Sequence, residues 1–354
     1  MDTIKKFRKQ ILLIILLALV IYLSFDSYFV FIGINSLINA IAVMGIVIIS
    51  GYAKQLHLGQ AAFQGLGAYT SAILMTKLGI NFWVTIPLAM IVAGLFGWIL
   101  SIPTLKLKGG SYLALVTQTF GEIIYVLLLN MEWLTNGSFG ISGISAPTIG
   151  PIDFTDLQSY FFLCLFFVIV VYIALKRIVK VKFGRFFISI RESEEAAQSI
   201  GVNTRKYKMI AFVIATSVGG LAGVLYGPFI GYLSPEQFRW SPSLTLVSMA
   251  IVGGLYSLEG GIIGSVLLTF LPELLRSTDQ LRMILYGVIV ILTLAFLPDG
   301  LVSLFGKKPG EIRKMLADQW DMLSDKTIRR KKKKVKAARA AKSFKKQLRY
   351  GAGV

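Results

Sequence analysis

Long apolar segments recur along most of the chain, and they restrict its fold more than any other feature. Several approach the length of about 20 residues that a helix needs to cross the hydrocarbon core of a bilayer. Spanning segments must satisfy their backbone hydrogen bonds within the protein, which leaves helical bundles and closed barrels. The hydrophobicity here is continuous, whereas that of a barrel strand alternates. The sequence therefore predicts an all-α, polytopic transmembrane helical bundle.

The composition agrees with a membrane protein, because only 16% of the residues are charged, against about 25% in soluble domains. We expect about 8–10 spans, the lower number applying if some segments are re-entrant. Glycine interrupts several of them. The candidate spans are residues 10–30, 34–50, 60–77, 82–103, 111–129, 157–176, 208–231, 243–257, 260–275 and 282–303.

The distribution of lysine and arginine predicts the side of the membrane on which each connection lies. Residues 176–208 are rich in both, whereas residues 130–156 contain neither. We therefore expect both termini and 176–208 in the cytoplasm, and residues 130–156 and 234–240 outside. The basic N-terminus precedes an apolar run without a small-residue cleavage site, which favours an uncleaved first helix over a signal peptide.

The stretch "RESEEAAQSIGVNTRKYK" (191–208) is a charged insert in this apolar chain. Ser193 is a good helix N-cap, because its hydroxyl accepts a hydrogen bond from a free backbone amide. Gly201 suits the left-handed position that ends a helix, and Asn203 or Thr204 can cap the next one. The pattern predicts a short helix, a glycine turn and a second helix that enters the membrane.

The surface of that short helix is expected to be small. Ala196 and Ala197, with Ile200 one turn on, would permit another protein to approach closely. The alternative is a solvated cytoplasmic loop that only caps its own helices.

Four blocks of sequence resemble a known family. They are "GYAKQLHLGQAAFQGLGAYTSAIL" (51–74), "RESEEAAQSIGVNTRKYKMIAFVIATSVGGLAGVLYG" (191–227), "GYLSPEQF" (231–238) and "MAIVGGLYSLEGGIIGSVLL" (249–268). The chain resembles the permease subunit of bacterial high-affinity branched-chain amino-acid ABC importers, in its second and longer type. The resemblance covers most of residues 34–303, and Glu195-Ala196-Ala197 with Gly201 resembles the coupling loop of such permeases.

The resemblance implies partners and a substrate. In that family the coupling loop, here 177–208, docks on a separate ATP-hydrolysing subunit. It implies a sister permease, ABC ATPase subunits, an extracellular substrate-binding protein and membrane lipid as partners, in a bacterial plasma membrane. Leucine, isoleucine or valine would be carried, with urea or short amides as alternatives. The residues expected to couple to the ATPase are Arg191, Glu192, Glu194, Glu195, Ala196, Ala197 and Gly201.

Two features depart from the family pattern. His57 stands where the first block commonly has a serine, and we expect it near the lipid headgroups. The basic tail, taken as residues 306–354 after a membrane domain at 1–305, is also not part of it. The tail predicts either a disordered segment or an interfacial helix. Its lysines would meet anionic lipid, while nucleic acid is an unlikely partner. These lysines are Lys331, Lys332, Lys333 and Lys334.

The sequence does not indicate an enzyme. No Walker A motif is present, so ATP would be hydrolysed by a partner and this chain would bind no cofactor. A single histidine, His57, and a single cysteine, Cys164, argue against a metal site.

A translocation path is suggested by two glycine-rich segments and by polar residues within spans. Paired interrupted helices are a common pointer to such a path, and a carboxylate within the membrane usually faces protein or water. Helix packing by small residues is the alternative for each glycine. The candidate path residues are Gly59, Gln60, Gln64, Gly65, Gln118, Glu122, Gly254 and Gly260.

Three other functions stay open at this stage. An ion-coupled secondary transporter of a small polar solute would need buried acids, for which Glu122 and Glu259 are the candidates. An intramembrane enzyme would need a nucleophile with a base, and a membrane scaffold would use the basic tail. Co-purification of an ATPase separates the importer from all three.

Overall fold

The fold is described by a computed structural model that covers residues 27–105, 110–150, 152–275, 282–297 and 299–304. Within these ranges twelve α-helices dominate, with four two-residue strands and short 3₁₀ turns, so the prediction of a polytopic helical bundle is confirmed. The basic N-terminus, the tail at 306–354 and its lysines Lys331, Lys332, Lys333 and Lys334 lie outside the described residues.

The elements follow one another in this order: α1 (Ser27–Ile46), α2 (Gln60–Thr76), α3 (Phe82–Thr104), α4 (Gly110–Asn130), α5 (Glu132–Thr135), β1 (Ile141–Ser142), β2 (Thr148–Ile149), β3 (Ile152–Asp153), α6 (Leu157–Lys180), α7 (Lys182–Glu192), α8 (Glu194–Ser199), α9 (Thr204–Ile230), β4 (Tyr232–Leu233), α10 (Trp240–Gly253), α11 (Leu258–Leu274) and α12 (Arg282–Phe296). A π-helical turn, Val47–Tyr52, continues α1.

Helix α1 is the centre of the bundle. It packs against α6, α9, α10 and α11, and with its π-helical turn it forms one uninterrupted segment, Ser27–Tyr52. The predicted boundary between candidate spans 10–30 and 34–50 is therefore wrong. Gly33 and Asn35 lie at this point, and their low helix propensity is overridden because protein encloses the segment.

The part of the chain that the structure describes contains five or six candidate spans. Among the described residues, five helical segments are long and apolar enough to cross a membrane, and the bent pair α10–α11 makes a sixth if it counts as one span. Helix α2 has 17 residues and α12 has 15. The candidate span 10–30 lies mostly outside the described residues, so the predicted and the observed numbers of spans do not cover the same part of the chain.

The bend between α10 and α11 is the sharpest feature of the bundle. The two helices meet at 120° across residues 254–257, which we call the elbow. Gly254 ends α10 with a φ of +130°, a conformation that side chains other than glycine's rarely allow. Ser257 then caps α11, accepting a hydrogen bond from the Gly260 amide at 3.1 Å.

The two connections expected outside the membrane are joined to each other. Strand β1, from the first connection, pairs antiparallel with β4, and Ile141 lies opposite Leu233. The Tyr232 hydroxyl also donates to the Phe139 carbonyl at 3.2 Å. This pairing places both connections at one end of the bundle and adds a small sheet element to a fold predicted as wholly helical.

Helices α2 and α9 approach so closely that their glycines are required. A Cβ on Gly67 would lie 2.0 Å from the Gly220 carbonyl oxygen, and one on Gly223 would lie 1.8 Å from that of Gln64. Small residues allow such backbone contact in a membrane bundle. Here the glycines pack helices together.

Candidate functional site

The charged insert folds as its local sequence predicts. The Ser193 hydroxyl caps α8 by accepting from the Ala196 amide at 3.2 Å. Gly201 follows with a φ of +84°, in the left-handed region. Asn203 caps α9 by accepting from the Lys206 amide at 3.1 Å. The predicted short helix, glycine turn and second helix are confirmed.

The two alanines of α8 face opposite ways. Ala197 is 1% exposed and packs with Ile190 and Val202, whereas Ala196 lies on the surface. The prediction that both alanines form an outward surface is therefore wrong for Ala197, because α8 is held against α7 and α9 along that side. Ile200 is 76% exposed and belongs to the open face.

One ion pair attaches α8 to α9. The Lys208 ammonium lies 2.5 Å from the Glu194 carboxylate, which joins α8 to α9. Within α7, the Arg191 guanidinium nitrogen lies 2.8 Å from a carboxylate oxygen of the adjacent Glu192. Glu195 is exposed on α8 and makes neither contact. Of the predicted coupling residues, Glu195 and Ala196 are thus open to a partner, while Glu194 and Ala197 hold the helix in place.

Arg191 contacts the elbow. Its guanidinium carbon lies 4.9 Å from the centre of the Tyr256 ring, within the range of a cation–π interaction. Its carbonyl oxygen accepts from the Lys54 ammonium at 3.1 Å. Arg191, two residues before the cap of α8, is therefore joined to two segments distant in sequence.

The start of α11, just after the elbow, carries an ion pair that sequence reasoning missed. The Glu259 carboxylate, in the first turn of α11, pairs with the Lys176 ammonium of α6. It also accepts from the Tyr172 hydroxyl at 2.6 Å and from the Ser257 hydroxyl at 2.7 Å. The two charged side chains are only 17% and 15% exposed, so most of this pair is shielded from solvent.

Gln60 and the glycines around it are packing residues. The fully buried Gln60 amide donates to the carbonyl oxygens of Ala42 and Ala215, both at 3.1 Å, and so joins α1, α2 and α9. A Cβ on Gly59 would lie 2.4 Å from the Thr117 carbonyl oxygen. One on Gly65 would lie 2.8 Å from the Phe238 ring. Gln64 is also buried.

His57 lies inside the bundle. It is fully buried, with its ring 5.5 Å from that of Phe63 and 5.6 Å from that of Phe212. The expected position near the lipid headgroups is wrong, because the connection from α1 to α2 turns inward between these helices.

Glu122 stands beside the start of α10. Its carboxylate accepts from the Trp240 amide at 3.2 Å, at the N-terminus of that helix, where a negative charge is stabilised. Gln118, Glu122 and Tyr125 are half-buried and share one face of α4, as their spacing of four and three residues requires.

A second group of charges completes this region. Tyr125 donates to Glu236, and the Arg239 guanidinium lies 3.3 Å from Glu236 and 4.9 Å from the centre of the Tyr125 ring. We call Glu122, Tyr125, Glu236 and Arg239 the outer charged cluster. Sequence reasoning missed its last three members, although Glu236 and Arg239 are charges close together in an otherwise apolar part of the chain.

The eight candidate path residues fall into two groups. Those from α2 and α4 lie close together, since a Cβ on Gly121 would be 3.7 Å from Gly59. Gly254 and Gly260 lie elsewhere, at the elbow. A Cβ on Gly254 would lie nearest to Val302 and Asp299. A Cβ on Gly260 would lie nearest to Gly253.

The sequence matches a family of transport proteins over most of its length. Residues 28–294 match the family model described as branched-chain amino acid transport system, permease component. The chain is 32% identical over 292 residues to the high-affinity branched-chain amino acid transport system permease protein LivM of Escherichia coli K12, covering 76% of this chain and 68% of that protein. No solved structure matches the chain.

Two further relatives represent two types of permease, LivM and LivH. A probable branched-chain amino acid transport permease protein LivM of Methanocaldococcus jannaschii is 26% identical over 236 residues, covering 61% of this chain and 67% of the relative. The high-affinity permease protein LivH of Escherichia coli K12 is 21% identical over 288 residues, covering 75% and 91%. The resemblance to the longer, LivM type is the stronger one.

Proposed function

The chain belongs to the family of branched-chain amino acid transport permeases, and on this premise we propose that it is the membrane-spanning subunit of an ATP-driven importer. It is an integral membrane protein, and we place it in a bacterial plasma membrane. Its cargo is leucine, isoleucine or valine. Urea and short amides are the alternative cargo, and competition against radiolabelled leucine uptake distinguishes them.

The single observation that carries this proposal is the open face of α8. Glu195, Ala196 and the 76%-exposed Ile200 form a small patch with one acid and one large apolar side chain. The helix beneath it is fixed by its cap and by the Glu194–Lys208 ion pair. A capped, anchored helix with an exposed apolar residue suits docking into a groove on another protein.

The partner on α8 is an ABC ATPase subunit. The chain has no Walker A motif, so it depends on that partner for ATP hydrolysis. A sister permease completes the membrane assembly, and an extracellular binding protein delivers the substrate. Closure of the ATPase pair on ATP moves α8, and the membrane helices then open alternately to the two sides.

The path for the substrate runs along the polar face of α4. Gln118 is half-buried there, one turn from Glu122 of the outer charged cluster. Charged side chains within a membrane are costly unless they face protein or water. We infer that this face lines the path, against the sister permease, whereas Gln60, Gly59 and Gly65 support it by packing.

An ion-coupled transporter is less well supported. Its two candidate acids are both occupied: Glu259 is paired with Lys176, and Glu122 accepts from the Trp240 amide. A carboxylate already held by a cation is a poor site for a coupling ion.

The test is purification of the tagged chain from its native membrane, followed by identification of the proteins that accompany it. We expect an ATPase and a sister permease with the wild type, and loss of the ATPase with Glu195→Lys, which reverses the charge of the docking face. Glu132→Lys is the matched control, because Glu132 is equally an exposed acid but lies on α5, at the other end of the bundle. A wild-type preparation without an ATPase would overturn the proposal.

A further inference from the structure

We propose that the elbow at residues 254–257 receives the movement of the coupling segment, and that Tyr256 and Glu259 are positioning residues for transport. This inference rests on the proposed docking of an ATPase at α8. In this proposal, movement of the docked α8 changes the angle of the elbow, and the bundle rearranges as a result.

The contact between Arg191 and Tyr256 is the first support. Arg191 is in the last turn of α7 and is separated from α8 by two residues, so it follows any displacement of the docking helix. Its planar guanidinium lies over the Tyr256 ring, an arrangement that lysine reproduces poorly. Tyr256 is 51% exposed, and its ring is therefore not needed to fill the core.

A second contact presses the elbow against the end of α1. A Cβ on Gly51, in the π-helical turn, would lie 1.8 Å from the Leu255 carbonyl oxygen. Lys54, just beyond this turn, donates to the Arg191 carbonyl. The end of α1, the end of α7 and the elbow therefore meet at one place, and a shift of Arg191 reaches the elbow without passing through flexible chain.

The Glu259 cluster holds the start of α11, just after the elbow. Lys176 and Tyr172, both on α6, and Ser257 fix the first turn of α11 through the Glu259 carboxylate. With α11 anchored to α6 in this way, force applied at Tyr256 acts mainly on α10. Gly254, with its φ of +130°, is the residue at which the chain turns out of α10.

Helix α10 carries the movement to the proposed path. It is a single rigid arm of 14 residues, and hinge motion turns such arms about a few terminal residues. Its other end is Trp240, whose amide donates to Glu122 of the outer charged cluster. A continuous series of contacts thus runs from α8 through Arg191, Tyr256 and α10 to Glu122.

The experiment measures coupling in the assembled complex. The full complex is reconstituted in liposomes with wild type, Tyr256→Leu or Tyr256→Phe, and leucine uptake per ATP hydrolysed is compared. We expect Tyr256→Leu to lower this ratio about 2- to 5-fold, the effect of losing one cation–π contact at a partly exposed site. Tyr256→Phe keeps an aromatic face for Arg191 and should retain most of the coupling.

Two additional variants keep the test decisive. Tyr112→Leu is the matched control, because Tyr112 is another exposed tyrosine, 65% exposed and far from the elbow along the chain. Arg191→Met removes the other partner, and the double variant Arg191→Met/Tyr256→Leu should be no worse than the more impaired single variant. Additive losses would overturn the inference, because residues that act through one contact are not additive.

The outcomes separate the two proposals. An ATPase that co-purifies with Tyr256→Leu as it does with wild type, together with a lowered uptake per ATP, supports both. An unchanged ratio in Tyr256→Leu refutes the role of the elbow and leaves ATPase docking intact. Absence of an ATPase from every preparation, wild type included, refutes the docking and with it this inference.

Discussion

Two non-helical segments of the described bundle, which we call breaks, differ in what surrounds them. The first, residues 53–59 between α1 and α2, is mostly enclosed by protein: Ala53, Gln55 and His57 are buried, and Lys54 is its one exposed residue. The second, the elbow, has Tyr256 on its surface and charged side chains from α6 and α7 against it. The buried part of the first break packs as core, whereas the elbow has an exposed aromatic ring and an adjacent ion pair through which neighbouring helices can act on it.

Glycine does not distinguish the two breaks. A Cβ on Gly59 would strike the Thr117 backbone, and one on Gly253 would lie 1.9 Å from the Gly260 carbonyl oxygen. In both places glycine allows backbones to touch. The functional difference comes from the charged neighbours, and the following experiments test it from the largest expected effect to the smallest.

The enclosed break should tolerate no added volume. Gly59→Val places branched carbon 2.4 Å from a backbone oxygen that cannot rotate away, and we expect a loss of about 3 kcal/mol or more in the free energy of unfolding. Gly287→Val is the control, because nothing lies within 4 Å of a Cβ there. Thermal denaturation in detergent, followed by size-exclusion chromatography, measures both. A stable Gly59→Val protein would show that this break can move.

The ion pair at the elbow should be worth less than the packing at the first break, yet remain measurable. Glu259→Leu leaves Lys176 mostly shielded and without its carboxylate, and we expect a loss of about 2 kcal/mol, below the range for fully buried pairs because both side chains are partly exposed. The double variant Lys176→Met/Glu259→Leu should recover part of this loss. If it is as unstable as the sum of the two single variants, the pair does not anchor α11 to α6.

Variants of Glu122 distinguish its hydrogen bond to the start of α10 from a role in lining the substrate path. Glu122→Gln keeps an acceptor for the Trp240 amide, so its thermal stability should stay within about 0.5 kcal/mol of wild type, whereas Glu122→Leu should lose about 1 kcal/mol. Leucine uptake should fall in both variants if the carboxylate lines the path. Full uptake by Glu122→Gln would leave the residue with the capping role alone.

The smallest effect is expected at the coupling helix. Ser193→Ala removes the N-cap of α8 and should cost about 1 kcal/mol of local helix stability. Faster hydrogen exchange over Glu194–Ser199 would report it. Ser199→Ala is the matched control, because that hydroxyl only donates back to the Glu195 carbonyl within the same helix. Equal exchange in the two variants would argue against the cap.

The coupling helix could be predicted from sequence because its signals are local. Ser193, Gly201 and Asn203 each act on a backbone group within a few residues, so reading the chain in order finds them. The orientation of Ala197 could not be predicted, because it depends on α7 and α9 packing beneath α8. An amphipathic pattern is too weak over the six residues of α8 to fix a face.

Contacts between distant segments account for what the sequence did not reveal. Lys176 and Glu259 are 83 positions apart, and neither residue marks the other as its partner. The elbow appeared in the sequence only as a glycine-rich stretch, and the angle of 120° is set by packing against Gly51 and Gly300. Apolar runs likewise indicated membrane helices without indicating which of them end partway.

The central position of α1 has a consequence for how the protein is made. This helix leaves the ribosome before α6, α9 and α11, the neighbours that later enclose it. Nearly nine-tenths of its most apolar stretch of 18 residues is buried in the finished bundle, so this surface lacks its protein neighbours until they have been synthesised. Because α1 is apolar on all sides, it is compatible with a membrane before those neighbours arrive. The core around α1 is complete only when α11 has been inserted.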